Sequence, residues 1–441
     1  MPLFGRKKPE EPALTSPQRS PLPDPPEPGP SGLRPLKAHR DYLLSCVDEL
    51  PPFGQHILDA LGLSVCEDIV ATISMPGFDN SAMDGYAVRA EDVAEASADR
   101  PVSLPVVGEV AAGQTAPHRL SPGVAMKIMT GAPLPLDADA IVPYEATDRG
   151  ASDVKIFAAS EVNQHIRRVG EDIEAGTQVF TDGDQLGVRD IGLLAALGHD
   201  KVLVRPRPRV VVISTGSELV DPGLPLDPEQ QIYDSNSFML AAAAKAAGAQ
   251  VFRIGHVGDD PDAVKQLISD QLVRADLILT TGGVSQGDYD IIKAVMPEMG
   301  ACDFSQVAMQ PGKPQGFGLI GDDRTPMIML PGNPVSAFVS FEAFVRPVIR
   351  KLMGSKPYAR KATRATAAAA MTSMAGRTQL ARGIVTETSS GGLQVELAGG
   401  HGSHLLGDLA RSNALVILGE ETAFVAAGET VDLWLLDDSH R

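Results

Sequence analysis

ILTTGGVSQGDYDIIK, residues 278–293, is an apolar, β-branched run that stops at two glycines and continues through a polar loop into a second apolar run. The first run has the composition of a buried strand, and the second has the pattern of a helix. The glycines would let backbone N–H groups approach an anion, whereas the aspartates that follow should repel one. The stretch therefore predicts a strand, a ligand loop and a helix, with a conflict of charge between them.

The flanking residues, from 205 to 355, continue this alternation of strand and helix. Strand patterns occur at RVVVIST (209–215), AQVFRIG (249–255), ADLILTT (275–281) and PMIMLPG (326–332). Helical patterns lie between them, in SFMLAAAAKAAG, DAVKQLISDQLVRA and YDIIKAVMPEMG, and another follows PGNP. Such βαβ alternation predicts a mostly parallel sheet covered by helices on both faces.

The rest of the chain has sequence patterns that differ from this βαβ alternation. Residues 1–32 contain ten of the 35 prolines before residue 31 and predict a disordered tail, with a polyproline II docking peptide as the alternative. Residues 36–73 have helical spacing interrupted by Pro51-Pro52. From Met75 to Phe180 short β-type runs predict an irregular β-rich domain, and residues 356–441 predict a small antiparallel β domain.

Composition excludes several classes of protein. The 441 residues are enough for two to four domains, and a net charge of -18 with 56 acidic against 38 basic residues disfavours nucleic acid and anionic membranes as partners. No secretory signal and no run of 18 apolar residues is present. Three widely spaced cysteines fit a reducing compartment, so we expect a cytoplasmic protein.

Four predicted strand ends carry polar or glycine-rich sequences. In an open α/β sheet, ligands bind beyond the carboxyl ends of the strands. Gly282, Gly283 and Ser285 form a plausible cradle for phosphate or carboxylate, although such a turn also occurs as a packing device. Neither a P-loop nor a dinucleotide fingerprint is present. The four sequences are STGSEL (214–219), GDDP (258–261), TTGGVSQGDYD (280–290) and LPGNPVSA (330–337).

Carboxylates occur at three of those ends, in Glu218, Asp259, Asp288 and Asp290. Each alone is typical of a solvated loop, but unpaired carboxylates that converge on one crevice repel one another. A Mg²⁺ ion would resolve the conflict, because oxygen ligands hold it and its other positions accept phosphate or oxyanion oxygens. The glycine amides would then hold one part of an anionic ligand and the metal another.

Two further loops add candidate ligands. PGKP (311–314) places Lys313 on a stiff loop, where it is either a phosphate ligand or a surface lysine. Pro331, Gly332, Asn333 and Pro334 form a rigid turn directly before a helix, with amides that would face the crevice or serve only as a helix entry.

Together these motifs resemble the molybdopterin molybdenumtransferase family of molybdenum cofactor synthesis, which includes the gephyrin E domain. The resemblance runs in order through about residues 36–410. Besides the strand-end loops and PGKP, it includes PGFDNSAMDGYAV (76–88), IMTGAP (128–133), RRVGEDI (167–173), LARG around Arg382 and GGHGSH (399–404). The GGVS and PGNP loops also occur in the related molybdopterin adenylyltransferases.

The resemblance implies an elongated chain of several subdomains, α/β plus β, and a homodimer. Its parts would be a helical and linker subdomain from residues 33–74 and 146–204, an inserted β-rich subdomain (75–145), a doubly wound α/β subdomain (205–355) and a C-terminal β barrel (356–441). It also implies that molybdate is inserted into adenylylated molybdopterin with release of AMP and with Mg²⁺ as the cofactor. A molybdopterin adenylyltransferase and recipient molybdoenzymes are the partners that this chemistry suggests.

By motif, the resemblance also assigns site residues. Glu218, Asp259 and Asp290 would hold Mg²⁺ or orient its water, and Asp84, Thr130 and Asp172 would line the oxyanion side. Substrate binding would fall to Gly282, Gly283, Ser285, Lys313, Pro331, Gly332, Asn333, Pro334, Arg382 and Ser403.

The chain departs from some members of the family at Gln306 and Gln310, where a basic residue can occur. Either the anionic substrates meet less positive charge there, or Lys127, Arg167 and Arg168 substitute for it. Two alternative functions remain open from sequence: a molybdopterin adenylyltransferase, which is usually the α/β module alone, and a gephyrin-like scaffold without chemistry.

Overall fold

The computed structural model describes residues 21–113, 119–283, 291–389 and 391–436. As far as these residues are concerned, the chain forms two compact units. Among the described residues, the first comprises those within 21–53, 62–64 and 204–436, and the second comprises those within 54–61 and 65–203. Within the described residues, no helix combines the length and the apolar composition that a bilayer crossing needs.

The first unit is built on a six-stranded sheet with four parallel strands side by side. Their carboxyl ends form one row, because Ser214 lies opposite Thr281 and Thr281 lies opposite Leu330. The strands, in sheet order, are Gln250–Val257, Arg209–Thr215, Leu277–Thr281, Thr325–Leu330, Pro314–Ile320 and Gly300–Gln306, of which the last two run antiparallel to their neighbours.

Alternate residues of the parallel strands feed two separate cores. Val210 and Val212 belong to one buried cluster, and Val211 and Ile213 belong to the other. Since successive side chains of a strand point to opposite faces, each face of the sheet is apolar and needs a helical cover. The first face is covered by helices Leu36–Ser45, Asn236–Ala246, Pro334–Ser340 and Arg346–Leu352, and the second by Pro261–Leu272 and Ile291–Met299. The predicted doubly wound α/β module is confirmed.

The two antiparallel strands of this sheet were not predicted, and they place two loops at the site. Gly316 lies opposite Met329, so the strand Pro314–Ile320 begins at the row where the parallel strands end. Gln306 lies opposite Pro314, at the same row. PGKP and Gln306 therefore stand beside the glycine-rich turns.

The helical prediction for residues 36–73 is right only for its first part. The helix Leu36–Ser45 packs its buried residues Leu36, Tyr42 and Leu43 into the first core. It ends before Pro51-Pro52, which cannot donate backbone hydrogen bonds. The short strands Phe53–His56 and Ile69–Val70 follow in place of a second helix.

The C-terminal residues of the first unit form a closed barrel, as predicted. Five strands form a ring in which Thr378–Glu387 pairs with both Leu393–Leu397 and Ala414–Leu418. Strands Thr363–Ala367 and Thr430–Leu435 complete the ring. Helix Leu406–Arg411 precedes strand Ala414–Leu418. Short strands Met309–Gln310, Met371–Thr372 and Phe424–Val425 flank the barrel, and Leu219–Val220 and Ile232–Tyr233 pair beside the central sheet.

The second unit is β-rich over a longer stretch than the predicted insertion 75–145. Its five-stranded sheet has the order Ala140–Pro143, Gly85–Val88, Ala125–Ile128, Val102–Val110 and Asp153–Ile156, so its edge strand lies beyond residue 145. Residues 146–204 contain one α-helix, Val188–Ala196, and are otherwise short strands and turns. These strands are Ile166–Arg167, which pairs with Asn80–Ser81, Gln178–Phe180, which pairs with Ile69–Val70, and Lys201–Val204.

The N-terminal segment is attached to the first unit from residue 21 onward. Leu22 packs against the first core, and the Gly29 N–H donates to the Leu33 carbonyl at 2.8 Å. Arg34 is buried and forms a two-pronged ion pair with Asp303, with N···O distances of 2.6 and 3.3 Å. Residues 21–32 therefore make contacts that a disordered tail would lack, and residues 1–20 lie outside the described part.

We predict that Arg34→Met lowers the free energy of unfolding by about 3 kcal/mol, because it strands a carboxylate whose side chain is only 15% exposed. The matched control is Lys37→Met. Lys37 pairs with Asp41 at 2.6 Å, but both side chains are exposed, so its loss should cost at most about 0.5 kcal/mol. Urea unfolding followed by circular dichroism measures both free energies. Equal effects of the two substitutions would contradict a stabilising role for the Arg34–Asp303 ion pair.

Candidate active site at the carboxyl edge of the sheet

The turns after the parallel strands are tied together by hydrogen bonds. The Gly282 N–H donates to the Leu330 carbonyl at 3.1 Å, and the Thr281 hydroxyl donates to the Pro331 carbonyl at 3.1 Å. Asn236, in the first turn of its helix, donates its amide to Thr281 Oγ1 at 3.0 Å and to the Gly332 carbonyl at 2.6 Å. One amide side chain therefore fixes the separation of the two loops.

Gly282 is required at its position by both conformation and space. Its φ is +93°, in the left-handed region, and Gly283 follows with φ +70°. A Cβ on Gly282 would lie 2.7 Å from the Thr215 carbonyl oxygen. Gly332 is different: its added Cβ would meet the Cα and N of Gly282 at an ordinary 3.6 and 4.0 Å. The first predicted glycine is thus necessary for the turn, and it leaves the backbone there without side-chain cover.

Glu218 and Asp259 bracket the turn after the first parallel strand. The Glu218 carboxylate lies over Gly216, where an added Cβ would be 2.4 Å from its Oε2. Asp259 Oδ2 accepts from the Ser217 hydroxyl at 2.6 Å and from its N–H at 3.3 Å. The neighbouring Asp260 is spent on capping the helix Pro261–Leu272. Both predicted carboxylates therefore belong to one polar patch, and both are exposed.

A cavity of about 310 Å³ opens at these strand ends, a size that accommodates a small ligand. Glu218, Gly282, Gly332 and Pro334, all predicted, line it. The sequence interpretation missed the other wall, which comes from QIYDSNS. The polar triplet directly before an apolar helix was an available signal. The lining residues that it missed include Ile232, Tyr233, Asp234, Ser235, Asn236, His404 and Leu406.

Buried Asp234 holds this missed wall in place. Its Oδ1 accepts from the Ser214 hydroxyl at 3.0 Å and from the Ser237 N–H at 3.0 Å, and its Oδ2 accepts from the Ser237 hydroxyl at 2.5 Å. A buried carboxylate with this many donors is satisfied as a structural group. Asp234 therefore ties the first parallel strand to the helix that carries Asn236.

The PGNP turn is joined to the barrel loop GGHGSH. The Val335 N–H donates to the Ser403 carbonyl at 3.0 Å. Arg382, buried on the barrel, donates to the carbonyls of Gly402 and Leu405 at 3.1 Å each and also to that of Gly400. Burial lowers the pKa of its guanidinium from the ordinary value. Arg382 thus orders the loop that carries Ser403, and a second cavity of about 30 Å³ lies beside it, next to Gln310, Gln379 and His401.

The two glutamines that replace basic residues lie at different places. Gln306 ends its strand opposite Pro314, at the row of strand ends. Gln310 lines the smaller cavity, and Arg377 donates to its Oε1 at 3.5 Å. Lys313, whose carbonyl accepts from the Val307 N–H at 2.8 Å, is half-buried on the same loop. Positive charge near Gln310 is therefore supplied by Arg377 and Arg382 within the first unit.

The second unit brings Asp84 and Thr130 together. Asp84 precedes strand Gly85–Val88 and Thr130 follows strand Ala125–Ile128, and these two strands are paired. Asp84 Oδ1 accepts from the Thr130 N–H at 2.7 Å and from its hydroxyl at 2.8 Å. These two donors hold the pKa of Asp84 below its usual value. Asp172 is exposed elsewhere in this unit, where its N–H donates to the Met75 carbonyl.

Two of the three basic residues suggested as substitutes for Gln306 and Gln310, Lys127 and Arg168, are engaged within the second unit, whereas the Arg167 side chain is exposed. Lys127 pairs with Glu109 at 3.3 Å, and this contact raises the pKa of the Lys127 ammonium. Arg168 pairs with Asp79 and also donates to Asn163. Their charges are partly neutralised by these neighbours. Lys127 and Arg168 are therefore poorly suited to supply the positive charge that is missing at Gln306 and Gln310.

Several predicted residues fall outside the described part of the chain. Ser285, Asp288 and Asp290 belong to the loop 284–290. Among the described residues, no group of three or more His, Cys, Asp or Glu side chains is arranged to hold a metal ion. Glu218 and Asp259 are two oxygen donors of the type that Mg²⁺ uses, so they fit as part of such a site.

Fold and site together define an α/β protein whose strand-end crevice suits a phosphate- or oxyanion-bearing substrate. Family models for the MoeA N-terminal region (domain I and II), a probable molybdopterin binding domain and the MoeA C-terminal region (domain IV) match residues 34–198, 211–351 and 364–436. The chain belongs to the MoeA family, whose curated members are named molybdopterin molybdenumtransferases.

Individual relatives span nearly the whole chain. Molybdopterin molybdenumtransferase 2 of Mycobacterium tuberculosis is 44% identical, over 91% of this chain and 99% of its own length. The Haemophilus influenzae molybdopterin molybdenumtransferase is 36% identical, over 86% and 92%. A crystal structure of the moeA protein from Pyrococcus horikoshii has a TM-score of 0.76 at 29% identity and covers 91% of this chain and all of its own.

We predict that Gly282→Ala destabilises the first unit while Gly332→Ala is tolerated. The first substitution forces a left-handed residue, at a cost of about 1–2 kcal/mol, and adds a clash with the Thr215 carbonyl. The second adds a methyl group in ordinary contact. Urea midpoints of the two variants measure the difference, and equal midpoints would contradict the close approach at Gly282.

We predict that Thr130→Val raises the pKa of Asp84 toward its usual range. The substitution removes the hydroxyl donor and keeps the backbone N–H, so part of the lowering should remain. Because the folded-state pKa is depressed, ionised Asp84 persists to lower pH in the wild type than in the variant. Carboxyl ¹³C NMR titration measures both, with Thr181→Val as a control. An unchanged Asp84 titration would show that the hydroxyl does not act on it.

Proposed function

We propose that this chain inserts molybdate into adenylylated molybdopterin, with release of AMP and with dependence on Mg²⁺. The observation that carries the proposal is the strand-end crevice, where the exposed Glu218 carboxylate and the turns at Gly282 and Gly332 line one 310 Å³ cavity. Asp259, also exposed, accepts from Ser217 directly before Glu218 in sequence. The names of relatives that match from end to end support a molybdenumtransferase within molybdenum cofactor biosynthesis. Adenylylation of the substrate and the role of magnesium rest on the motif resemblance.

The proposed roles follow from the position of each group. The backbone N–H of Gly283, beside the turn that Gly282 forms, binds a phosphate of the substrate, with Ser285 as a further donor and Lys313 as a counter-charge at the same sheet edge. The turn of Pro331, Gly332, Asn333 and Pro334 closes one wall. Ser403 and Arg382 shape the barrel side. A dense set of fixed donors around a small cavity holds an anion without reorganisation.

Magnesium would bind through carboxylate oxygens. Glu218 and Asp259 are the described candidates, and Asp290 is the third. When bound, the ion would neutralise negative charge that develops on the phosphate and the oxyanion. Without it, the carboxylates would repel both ligands, so the fit of the crevice to an anion depends on this charge balance.

The oxyanion side of the site is proposed to contain Asp84, Thr130 and Asp172. The low pKa of Asp84 limits which groups it can bind there. Thr130 holds the pKa of Asp84 low, so Asp84 is ionised at neutral pH and cannot itself bind an oxyanion favourably. It suits an N–H donor of the substrate or a cation. The Thr130 hydroxyl, already directed at Asp84, fixes the rotamer that this role needs.

We further propose a homodimer in which the second unit of one protomer serves the crevice of its partner. A cytoplasmic location, supported by three free cysteines, fits a pathway that would pass the substrate from an adenylyltransferase and the product to molybdoenzymes. The direct test is molybdate-dependent AMP release from adenylylated molybdopterin. ATP consumption with free molybdopterin, and no such release, would instead identify an adenylyltransferase.

We predict that Glu218→Gln lowers the rate of molybdate-dependent AMP release by roughly 10²–10³, the effect of losing one charge that stabilises the transition state. Glu229→Gln, an exposed acid in the following loop, is the matched control and should retain the wild-type rate. A wild-type rate for Glu218→Gln at limiting Mg²⁺ would remove Glu218 from the mechanism.

We predict that inactive Asp84→Asn and inactive Glu218→Gln protomers complement each other. In a shared-site heterodimer one crevice carries both lesions and the other carries neither. Random pairing of equal amounts yields about half heterodimer, each with one intact site, so activity should recover to about a quarter of wild type. Differently tagged chains allow the heterodimer to be isolated, and no recovery in it would place both residues in one chain's site.

A further inference from the structure

We infer that His404, on the barrel loop GGHGSH, is a binding residue for the phosphate group of the substrate in the 310 Å³ cavity. Arg382 is its positioning residue. The inference rests on the proposed function, because that function supplies the anionic ligand. It adds a side chain to the barrel residues Arg382 and Ser403 that the sequence already assigned to substrate binding.

Charge singles out His404 among the residues around this cavity. The described lining contains two carboxylates, Glu218 and Asp234, and His404 is the one side chain in that lining able to carry positive charge. A protonated imidazole carries two N–H donors and a positive charge, which suit a phosphate oxygen. A phosphate that enters beside Glu218 gains a direct attraction from a protonated His404.

Hydrogen bonds from three residues, Val335, Arg382 and Leu406, fix the loop that presents His404. The Ser403 carbonyl accepts from Val335 N–H at the start of the helix after PGNP, which ties the loop to the cavity wall. Arg382 donates to three carbonyls of the loop and draws it into a closed turn. The His404 carbonyl itself accepts from the Leu406 N–H at 2.8 Å. The backbone of His404 is therefore held on both sides.

The imidazole is also located by a missing side chain. A Cβ built on Gly402 would lie 2.9 Å from His404 Cε1 and 3.2 Å from its Nδ1, so the ring occupies the space that Gly402 leaves empty. Gly402 does not have a positive φ, and its backbone therefore accepts alanine. Gly402→Ala should displace the ring and leave its chemistry intact.

Other charged groups surround the phosphate position beside His404. Glu218 and Asp234 lie in the same cavity lining, and Arg253 lies 3.9 Å from Asp234. From the barrel and its helix, the groups near the loop are Arg382, Asp408 and His401. Asp408 lies against Gly399 and is paired with Arg411. Because Asp234 and Asp408 each have an arginine nearby, their charges are partly balanced without His404.

The experiment measures AMP binding to the full chain by calorimetry between pH 5.5 and 8.5, with Mg²⁺ present. Wild type should bind AMP more tightly at low pH than His404→Gln, by about fivefold, and the two should converge at high pH. His404→Arg keeps a permanent charge, so it should bind well across the range. Comparing variants at each pH cancels the titration of the AMP phosphate itself, and His56→Gln controls for loss of an exposed histidine.

A second measurement separates binding from mere structure. In ¹³C-histidine NMR, AMP should shift the His404 titration to higher pH, because binding and protonation favour each other reciprocally. Gly402→Ala should reduce this shift and the pH-dependent gain in affinity. Gly407→Ala, where an added Cβ meets nothing within 4 Å, should change neither.

The outcomes divide clearly. If wild type binds AMP and His404→Gln shows the same pH profile, the inference is overturned while the proposed function stands. If wild type binds no AMP at any pH, the inference falls together with the AMP-releasing function. His404 is supported as the phosphate ligand by three results together. The gain in AMP affinity at low pH should be absent in His404→Gln and reduced in Gly402→Ala, and His404→Arg should bind AMP well at every pH.

Discussion

The site depends on the close approach of three backbone turns at Gly282. The Thr215 carbonyl leaves no room for a side chain there, and Gly332 packs against the Cα of Gly282 from the other side. Parallel strands in one register bring the turns to this distance, and Asn236 then locks two of them together. The Gly282 N–H is used in this packing, since it donates to the Leu330 carbonyl, and the backbone of Gly283 is the next part of the turn. Because side chains do not fit where the turns meet, the polar side chains of the cavity, such as Glu218 and His404, come from residues beyond that contact.

The barrel is part of the site as well as a separate fold element. Its strand Thr378–Glu387 carries Arg382, whose buried guanidinium holds a loop against the helix after PGNP. A buried guanidinium is costly unless its N–H groups find acceptors, and here three carbonyls provide them. The energy that orders the loop therefore also fixes Ser403 and His404 beside the α/β crevice. This coupling gives a physical reason for one chain to carry both domains.

The parallel strands were the most predictable part of the fold. The predicted strand 209–215 coincides with Arg209–Thr215, because both of its faces are buried and its apolar run is unbroken. Strands Gly300–Gln306 and Pro314–Ile320 were missed, since GACDFSQ and PQGFGLI contain polar and glycine residues that mask a strand pattern. The helical prediction past Ser45 failed because apolar spacing does not reveal the effect of Pro51-Pro52 on the following residues.

The candidate site also contains residues that the sequence predicted and residues that it missed. Residues on strand-end loops, such as Glu218 and Gly282, were found because a parallel sheet collects its strand ends at one edge. Asn236 and His404 were given no role, since one lies in a helix turn and the other in a barrel loop that is far in sequence from the strand-end loops. Their proximity follows from tertiary packing that local patterns do not encode. Arg382 was assigned to the substrate, and the structure adds that three of its donor contacts go to loop carbonyls.

The most direct test of the account is a crystal structure of the protein soaked with AMP, Mg²⁺ and molybdate. The account predicts AMP phosphate density within about 3 Å of the backbone nitrogen of Gly283, with a metal ion beside Glu218. Phosphate density at another surface, with the turn at Gly282 unoccupied, would contradict the claim that the converging strand ends form the anion site.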